Sequence, residues 1–282
     1  MTLKPSVVSR FDETAEVLES RELTDGVMHI TVSTPSIAGH ARPGQFIMLQ
    51  PHTSNAPLLR RPMSLLEVDA EQGRLELLFR VVGEGTELMS RFEPGTRRRI
   101  VGPLGHGFEL EGDYSQAILI GGGMGIPPLV HMSRLLRDAG KQVHFFYGAR
   151  SKSEIFFRER IEGSNATLTI ATDDGSEGHH GVVTEPWIKS IEEQSNSKSL
   201  RVFTCGPGGM LRHIIRLAQA QSLDTQVSLE IQMPCGMGIC QGCAMPVIGD
   251  GPDGFVYELV CKDGPVFPVE RLSLERMESV VL

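Results

Sequence analysis

Four of the five cysteines in this chain lie near its C-terminal end, as Cys235, Cys240, Cys243 and Cys261. The first three are spaced C-x4-C-x2-C, and the fourth follows a long gap. Two irons bridged by sulfides need four terminal thiolates. This spacing lets one tight loop supply three of them and a more distant strand the last. Gly236, Gly238 and Gly242 let the backbone turn closely around such a cluster and aim N–H groups at its sulfurs. The reading is a [2Fe–2S] centre on these four cysteines. Zinc is the alternative, although structural zinc sites usually pair knuckles with gaps of two to four residues, and here the first gap is four and the glycines are too many for a plain knuckle. Disulfides suit an odd cysteine count in a large chain less well.

Other stretches carry residues that could hold phosphates. Gly121-Gly122-Gly123-Met124-Gly125-Ile126-Pro127-Pro128 follows an apolar strand at 116–120. It precedes a helix with Leu129, Met132, Leu135, Leu136 and Ala139 on one side, stopped by Gly140. Strand, glycine loop and helix form the arrangement that binds a pyrophosphate, although the spacing is not GxGxxG. Cys205-Gly206-Pro207 ends another strand, so Cys205 is a candidate for the wall of a nicotinamide site, or a packing residue. In Arg61-Pro62-Met63-Ser64, an arginine and a small hydroxyl on an extended strand could hold a phosphate and the edge of a planar ring. Gly83-Glu84-Gly85-Thr86 offers N–H groups near a helix start. Each of these two fragments alone is also compatible with an ordinary strand start or turn. Arg150 and Lys152 follow a strand at 143–147 and could sit near an adenosine ribose, where no acidic residue stands to bind a 2′-OH.

These residues need elements to hold them. From 13 to 105 the chain reads as short strands (27–32, 45–49, 63–68, 75–81 and 97–101) separated by Gly and Pro turns, with one short helix at 87–92. That pattern predicts an antiparallel β-barrel. Strands at 116–120, 143–147, 167–171 and 202–204 then alternate with helices, including 181–191 and 210–221, and with a polar surface loop at 192–199. That rhythm predicts an α/β domain with a parallel sheet. The expected domains are a barrel over 1–110, a nucleotide-binding α/β domain over 111–225 and a small cluster module over 226–282.

The 282 residues suffice for more than one core. A formal charge of -8 without a long basic run argues against a nucleic-acid partner. Arg97-Arg98-Arg99 is read as a solvated barrel edge. No uninterrupted apolar stretch has the length of a membrane span. The N-terminal MTLKPSVVSRFDE has no apolar core of a secretory signal. A reducing, cytoplasmic setting is expected.

Taken in order, these motifs resemble the electron-transfer subunits of class 1B dihydroorotate dehydrogenases, within the ferredoxin–NADP reductase superfamily. The resemblance covers nearly the whole chain. It rests on Arg61 to Ser64, Gly83 to Thr86, Gly102-Pro103-Leu104-Gly105, Gly121 to Pro128, Cys205-Gly206-Pro207 and the cysteine module ending Cys261-Lys262-Asp263-Gly264-Pro265-Val266-Phe267. The resemblance implies FAD held by Arg61, Pro62, Met63, Ser64, Gly85 and Thr86, with Leu78, Phe79 and Arg80 lining the same site. It implies NAD+ on Gly121, Gly122, Gly123, Gly125, Cys205 and Gly206. It implies an FMN-containing catalytic subunit as partner, in a heterotetramer of two plus two, with electrons passing from dihydroorotate through FMN, cluster and FAD to NAD+ in pyrimidine biosynthesis. No general acid or base is assigned, because the chemistry belongs mainly to the cofactors. Two features depart from the family: an insert between Cys243 and Cys261 rich in Gly and Pro, and the Arg97–Arg99 run. Small subunits of cytosolic hydrogenases and of ferredoxin-dependent transhydrogenases share the same three parts and are the alternative. A non-enzymatic zinc scaffold is the alternative of another class.

Overall fold

The computed structural model describes residues 9–54, 56–192 and 199–277. Six strands close the expected antiparallel barrel: β1 (Phe11–Thr24), β2 (Val27–Ser33), β3 (Phe46–Leu49), β4 (Arg61–Asp69), β5 (Arg74–Arg80) and β6 (Arg97–Leu104). Their order is β1-β2-β5-β4-β3-β6. Ile30, Ile47, Leu65, Leu77 and Phe79 fill its interior. Strand β1 begins before the expected start and escapes a sequence reading, because polar residues dominate it and Ala15 and Val17 are its buried side chains. Helix α1 (Pro35–Ala38) was also not anticipated. Helix α2 (Glu84–Ser90) starts three residues earlier than the pattern suggested. The Thr86 hydroxyl explains this start: it accepts the N–H groups of Val82 and Gly83 and donates to the Gly83 carbonyl.

The arginine run has partners in the barrel. Arg97 and Arg99 on β6 meet Glu16 and Asp12 of β1 at 2.8 and 2.7 Å, while Arg98 lies over the Phe92 ring. The antiparallel register sets Arg97 opposite Glu16 and so makes the first pair cross-strand.

The second part is the expected parallel sheet. Strands β7 (Gln116–Gly122), β8 (Gln142–Ala149), β9 (Thr167–Thr172), β10 (His179–His180), β11 (Leu200–Cys205) and β12 (Thr225–Ser228) stand in the order β10-β9-β8-β7-β11-β12. Helices α3 (Pro127–Asp138), α4 (Arg158–Gly163), α5 (Thr184–Glu192) and α6 (Gly208–Gln221) connect them. On α3, Leu129, Met132 and Leu136 are buried as the periodicity requires, and Ala139 is exposed past its end. Part of the expected loop at 192–199 lies outside the described residues.

The third part is a hairpin, β13 (Ala244–Ile248) with β14 (Phe255–Leu259), and then β15 (Val266–Pro268) and α7 (Leu274–Met277). Strand β15 does not stay in the module. It adds an antiparallel edge to β12 of the nucleotide sheet. The expected boundary after 225 therefore falls inside β12.

The three parts share cores. One cluster joins Phe46, Met48, Val101 and Leu104 of the barrel to Ile118 and Trp187 of the sheet domain and to Cys243, Met245 and Cys261 of the module. On the other face of the sheet, Leu66 and Leu78 of the barrel pack with Leu129 and Phe145. Ion pairs also cross between barrel and sheet domain. Glu67 on β4 takes His131 and Arg134 of α3 at 2.5 and 2.6 Å. Glu76 on β5 takes Arg160 of α4 at 2.8 Å and His29 of β2 at 2.6 Å. Arg21 donates to Nδ1 of His29, so the Nε2 proton of that ring is the one given to Glu76.

Candidate functional site: cluster loop, flavin face and nucleotide cavity

The four predicted cysteines come together as two pairs. Cys240 donates its N–H to the Cys235 sulfur, and Cys261 donates its N–H to the Cys243 sulfur, each at 3.5 Å. Gly242 donates to the Cys240 sulfur at 3.4 Å. Gly236 and Gly238 sit at φ 72° and 85°, the left-handed conformation that bends the loop back on itself. Burial opposes ionisation of Cys235, but the N–H groups of Cys240, Met237 and Ile239 outweigh it and bring that thiol down to about 6. Burial and the neighbouring Cys243 push Cys261 up to about 12. Among the described residues no group of three or more His, Cys, Asp or Glu side chains closes around a single metal ion. Two thiol pairs supplied with N–H donors fit two irons better than they fit one zinc.

The loop has an inner and an outer side. On the inner side, Gly236 packs on the barrel so closely that a Cβ there would lie 2.5 Å from Met48 Cγ. Met48 is paired in register with Pro62 of the Arg61–Ser64 motif. His106, past the barrel's last strand, donates its N–H to the Gly264 carbonyl at 2.6 Å, and its ring bonds the Lys262 carbonyl at 2.8 Å. The segment that ends the barrel thus meets the segment that follows the last cysteine. On the outer side, Cys240 is exposed, and Ile239 beside it is 75% exposed.

On β4 the side chains alternate. Met63 and Leu65 turn into the barrel, which leaves Pro62 and Ser64 on its outer face. Arg61 reaches α2, where its guanidinium rests against Gly85 and donates to the Leu59 carbonyl at 2.5 Å. A cation against a helix start suits a pyrophosphate. The Thr86 hydroxyl is committed to closing that helix, so Thr86 can offer a ligand its backbone. On β5, Phe79 is buried in the barrel and Leu78 under the nucleotide domain. Arg80 leaves the barrel for the neighbouring cavity and pairs with Glu154 at 2.8 Å.

That cavity, of about 530 Å³, opens at the carboxyl ends of β7, β8, β9 and β11. This is where an open α/β sheet takes its ligand. Gly122, Gly123, Gly125 and Gly206 line it, with Pro207 and Met210. At Gly125 a Cβ would lie 2.5 Å from the Cα of Gly206, so the two glycine loops approach backbone to backbone. Gly121 and Cys205 are placed differently from the rest of the predicted set. Gly121 is covered by Ile126 and Leu129, and Cys205 is buried in the core. Burial pushes the Cys205 thiol far up, helped by Glu230, so it carries no thiolate character.

Sequence reasoning missed the charged wall of this cavity: Glu154, Asp173, His213 and Glu230. Glu230 reaches into the opening and water touches it, yet the protein crowding around it pushes its carboxyl above the usual range. Its one signal in sequence is its place between β12 and Cys235.

Known proteins share this arrangement. Residues 14–108 match the oxidoreductase FAD-binding domain and residues 119–216 the oxidoreductase NAD-binding domain. Residues 230–273 match the iron–sulfur cluster binding domain of dihydroorotate dehydrogenase B. A solved NADH-dependent reduced ferredoxin–NADP oxidoreductase superposes with a TM-score of 0.82 at 29% identity, over 94% of this chain and 91% of that one. A ferredoxin–NADP+ reductase from Neisseria gonorrhoeae, at 17% identity and a TM-score of 0.64 over 74% of this chain and 91% of that one, shares the fold. Fold and site define an NAD-linked oxidoreductase subunit that uses FAD and an iron–sulfur cluster.

Two curated relatives narrow the class. The electron transfer subunit of dihydroorotate dehydrogenase B (NAD(+)) from Desulforamulus reducens is 37% identical over 90% of this chain and 95% of its own length. That of Geobacillus thermodenitrificans is 36% identical over 93% and 98%. The chain belongs to the family of dihydroorotate dehydrogenase B electron transfer subunits.

Proposed function

We propose that this chain carries electrons from an FMN-containing catalytic subunit that oxidises dihydroorotate to NAD+, as one half of a cytoplasmic heterotetramer of two plus two. The observation that supports this reading most is the two-sided cluster loop. Gly236 presses on the barrel beside Pro62, while Cys240 and Ile239 face outward. A relay between two flavins needs that layout: one side near its own flavin and one side open to a partner. The iron–sulfur centre, when bound, takes electrons singly and moves no proton.

The chain's own residues bind, orient and exclude water. Arg61 neutralises the flavin pyrophosphate beside Gly85, and Pro62 and Ser64 present the outer face of β4 to the ring. Gly122, Gly123, Gly125 and Gly206 admit the dinucleotide to the cavity. The buried Leu66, Leu78 and Leu129 hold the two binding domains face to face. The reaction balances without an acid or base from this chain. Dihydroorotate gives up two electrons and two protons, NAD+ takes two electrons and one proton, and one proton is released. Among the described residues no helix is long and apolar enough to cross a membrane.

Affinity purification of the tagged chain from its native cell tests the reading. The expected companion is a chain with bound FMN, and the complex reduces NAD+ when given dihydroorotate. A partner without FMN, or hydrogen-driven or ferredoxin-driven NAD+ reduction in its place, would overturn it.

A further inference from the structure

Strand β4 is irregular in one place. Its register with β5 sets Leu65 opposite Leu77 and then Glu67 opposite Glu76, so Leu66 is an extra residue and the strand bulges there. Before the bulge the side chains alternate, with Met63 and Leu65 inside the barrel. Continued alternation would send Glu67 inside as well, where a lone carboxylate is costly. The bulge turns Leu66 and Glu67 outward together and returns Val68 to the interior. Glu67 thereby meets the nucleotide domain. Its Oε1 lies 2.5 Å from Nδ1 of His131 and 2.6 Å from the guanidinium of Arg134, which stand one turn apart on α3. His131 is buried in this contact.

The two elements joined in this way carry the two binding motifs. Glu67 follows Ser64, the end of the Arg61–Ser64 motif, by three residues on the same strand. Helix α3 begins at Pro127, directly after the Gly123–Gly125 loop. The neighbouring Glu76 takes one of its two cations, His29, from the barrel itself, whereas both partners of Glu67 come from α3. Glu67 and Glu76 stand opposite each other across the strands, and like charges placed so repel unless each is countered. Leu66 packs beside Leu129 in the same junction, but apolar contact has no direction of its own. Two directed bonds onto one face of α3 do have one, and they fix where the helix sits along β4.

We propose that Glu67 is a positioning residue for hydride transfer: the bulge aims its carboxylate at His131 and Arg134, and these bonds set the glycine loop of the nucleotide domain against the flavin face of β4. Hydride transfer needs the reacting atoms about 3–3.5 Å apart, and a misplacement of about 1 Å costs roughly a hundredfold. Glu67 lies outside the residues that line the nucleotide cavity, so it acts through α3. The inference needs only hydride exchange between FAD and the nicotinamide, and it stands whichever partner feeds the cluster.

The test is anaerobic stopped-flow reduction of the purified, FAD- and cluster-loaded chain by NADH, with hydrogen exchange measured on the same samples. In Glu67→Gln the limiting rate of flavin reduction should fall roughly tenfold, part of what a full misplacement costs. The Kd for NADH should stay within about twofold, because the cavity lining is intact. Amide exchange should quicken over 126–134 and match the parent over α6. Arg134→Gln leaves His131 on the carboxylate, so it should show a smaller loss in the same direction, and it carries the test if Glu67→Gln does not take up its cofactors. Glu16→Gln breaks an ion pair between β1 and β6 and should match the parent. An unchanged limiting rate in a Glu67→Gln chain with normal flavin and iron content overturns the proposal. So does an equal loss in Glu16→Gln, or faster exchange throughout the nucleotide sheet, which would mark general loosening. If NADH fails to reduce the flavin of the parent, the NAD-linked reading itself falls and the proposal with it, whereas a loss confined to the junction variants supports both.

Discussion

The guanidinium of Arg61 rests against the backbone of Gly85, so that a Cβ at Gly85 would lie 2.5 Å from Arg61 Nη2. The two residues come from separate motifs, 24 positions apart in number. Their contact turns a strand arginine and a helix start into one anion site. Arg61→Ala should weaken FAD binding by roughly 1.5–3 kcal/mol, the scale of hydrogen bonds to a charged group. Gly85→Ala should act in the same direction by displacing the guanidinium. Flavin content after gel filtration, and fluorescence titration of the stripped chain with FAD, measure both.

The cluster loop makes a second prediction. Serine at Cys235, Cys240, Cys243 or Cys261 should abolish stoichiometric iron and acid-labile sulfide while FAD remains. Gly236→Ala should also impair cluster content or coupling. It places a side chain in a left-handed conformation, at a cost of about 1–2 kcal/mol, and drives it into Met48. Iron, sulfide and flavin analysis on the same samples separates cluster loss from general unfolding.

Acid should loosen the junction between barrel and nucleotide domain. Burial opposes ionisation of Glu67 and Glu76, but bonds from His131 and Arg134, and from His29 and Arg160, outweigh it and hold both carboxyls below 4.5. A depressed carboxyl contributes stability that is present above the unfolded value near 4.5 and lost as pH falls through the folded one. Glu67→Gln should lower stability at neutral pH by about 1–3 kcal/mol and flatten the acid limb of the melting profile. Thermal melts of variant and parent between neutral and acid pH check this.

Glu230 should behave in the opposite sense. Its carboxyl is raised, so the folded state holds the proton more tightly than the unfolded state, and stability increases as pH falls through the folded value. Glu230→Gln should therefore raise the melting midpoint at neutral pH and remove this rise on acidification. The same substitution should alter KM for NAD+, since Glu230 lines the cavity. An identical melting profile in the variant would contradict the account of its environment.

What could be read from sequence was what is local. Cys235, Cys240 and Cys243 signal through spacing within a few residues, and Gly121 to Pro128 through a strand and helix on either side. Strand β15 could not be read, because three residues of Val266–Pro268 carry no period, and their place beside β12 is a tertiary fact. Glu67 and Arg134 are likewise 67 positions apart in number and meet through the bulge in β4. Cys205 reads in sequence as either a wall of the ligand site or a packing residue, because it ends a strand next to glycines, and only the fold shows its side chain buried with Phe203. The Phe79 side chain turns into the barrel for the same reason, since adjacent positions on β5 face opposite ways.

The central claim is that this chain connects a dihydroorotate-oxidising partner to NAD+ through its own cluster. The most direct measurement is anaerobic NADH formation by the reconstituted complex after dihydroorotate is added, with the parent chain and with Cys261→Ser. The account predicts NADH in step with orotate for the parent, and for the variant no NADH and no more orotate than the partner's FMN can accept electrons for. Equal NADH formation by both, or none by the parent complex, would contradict it.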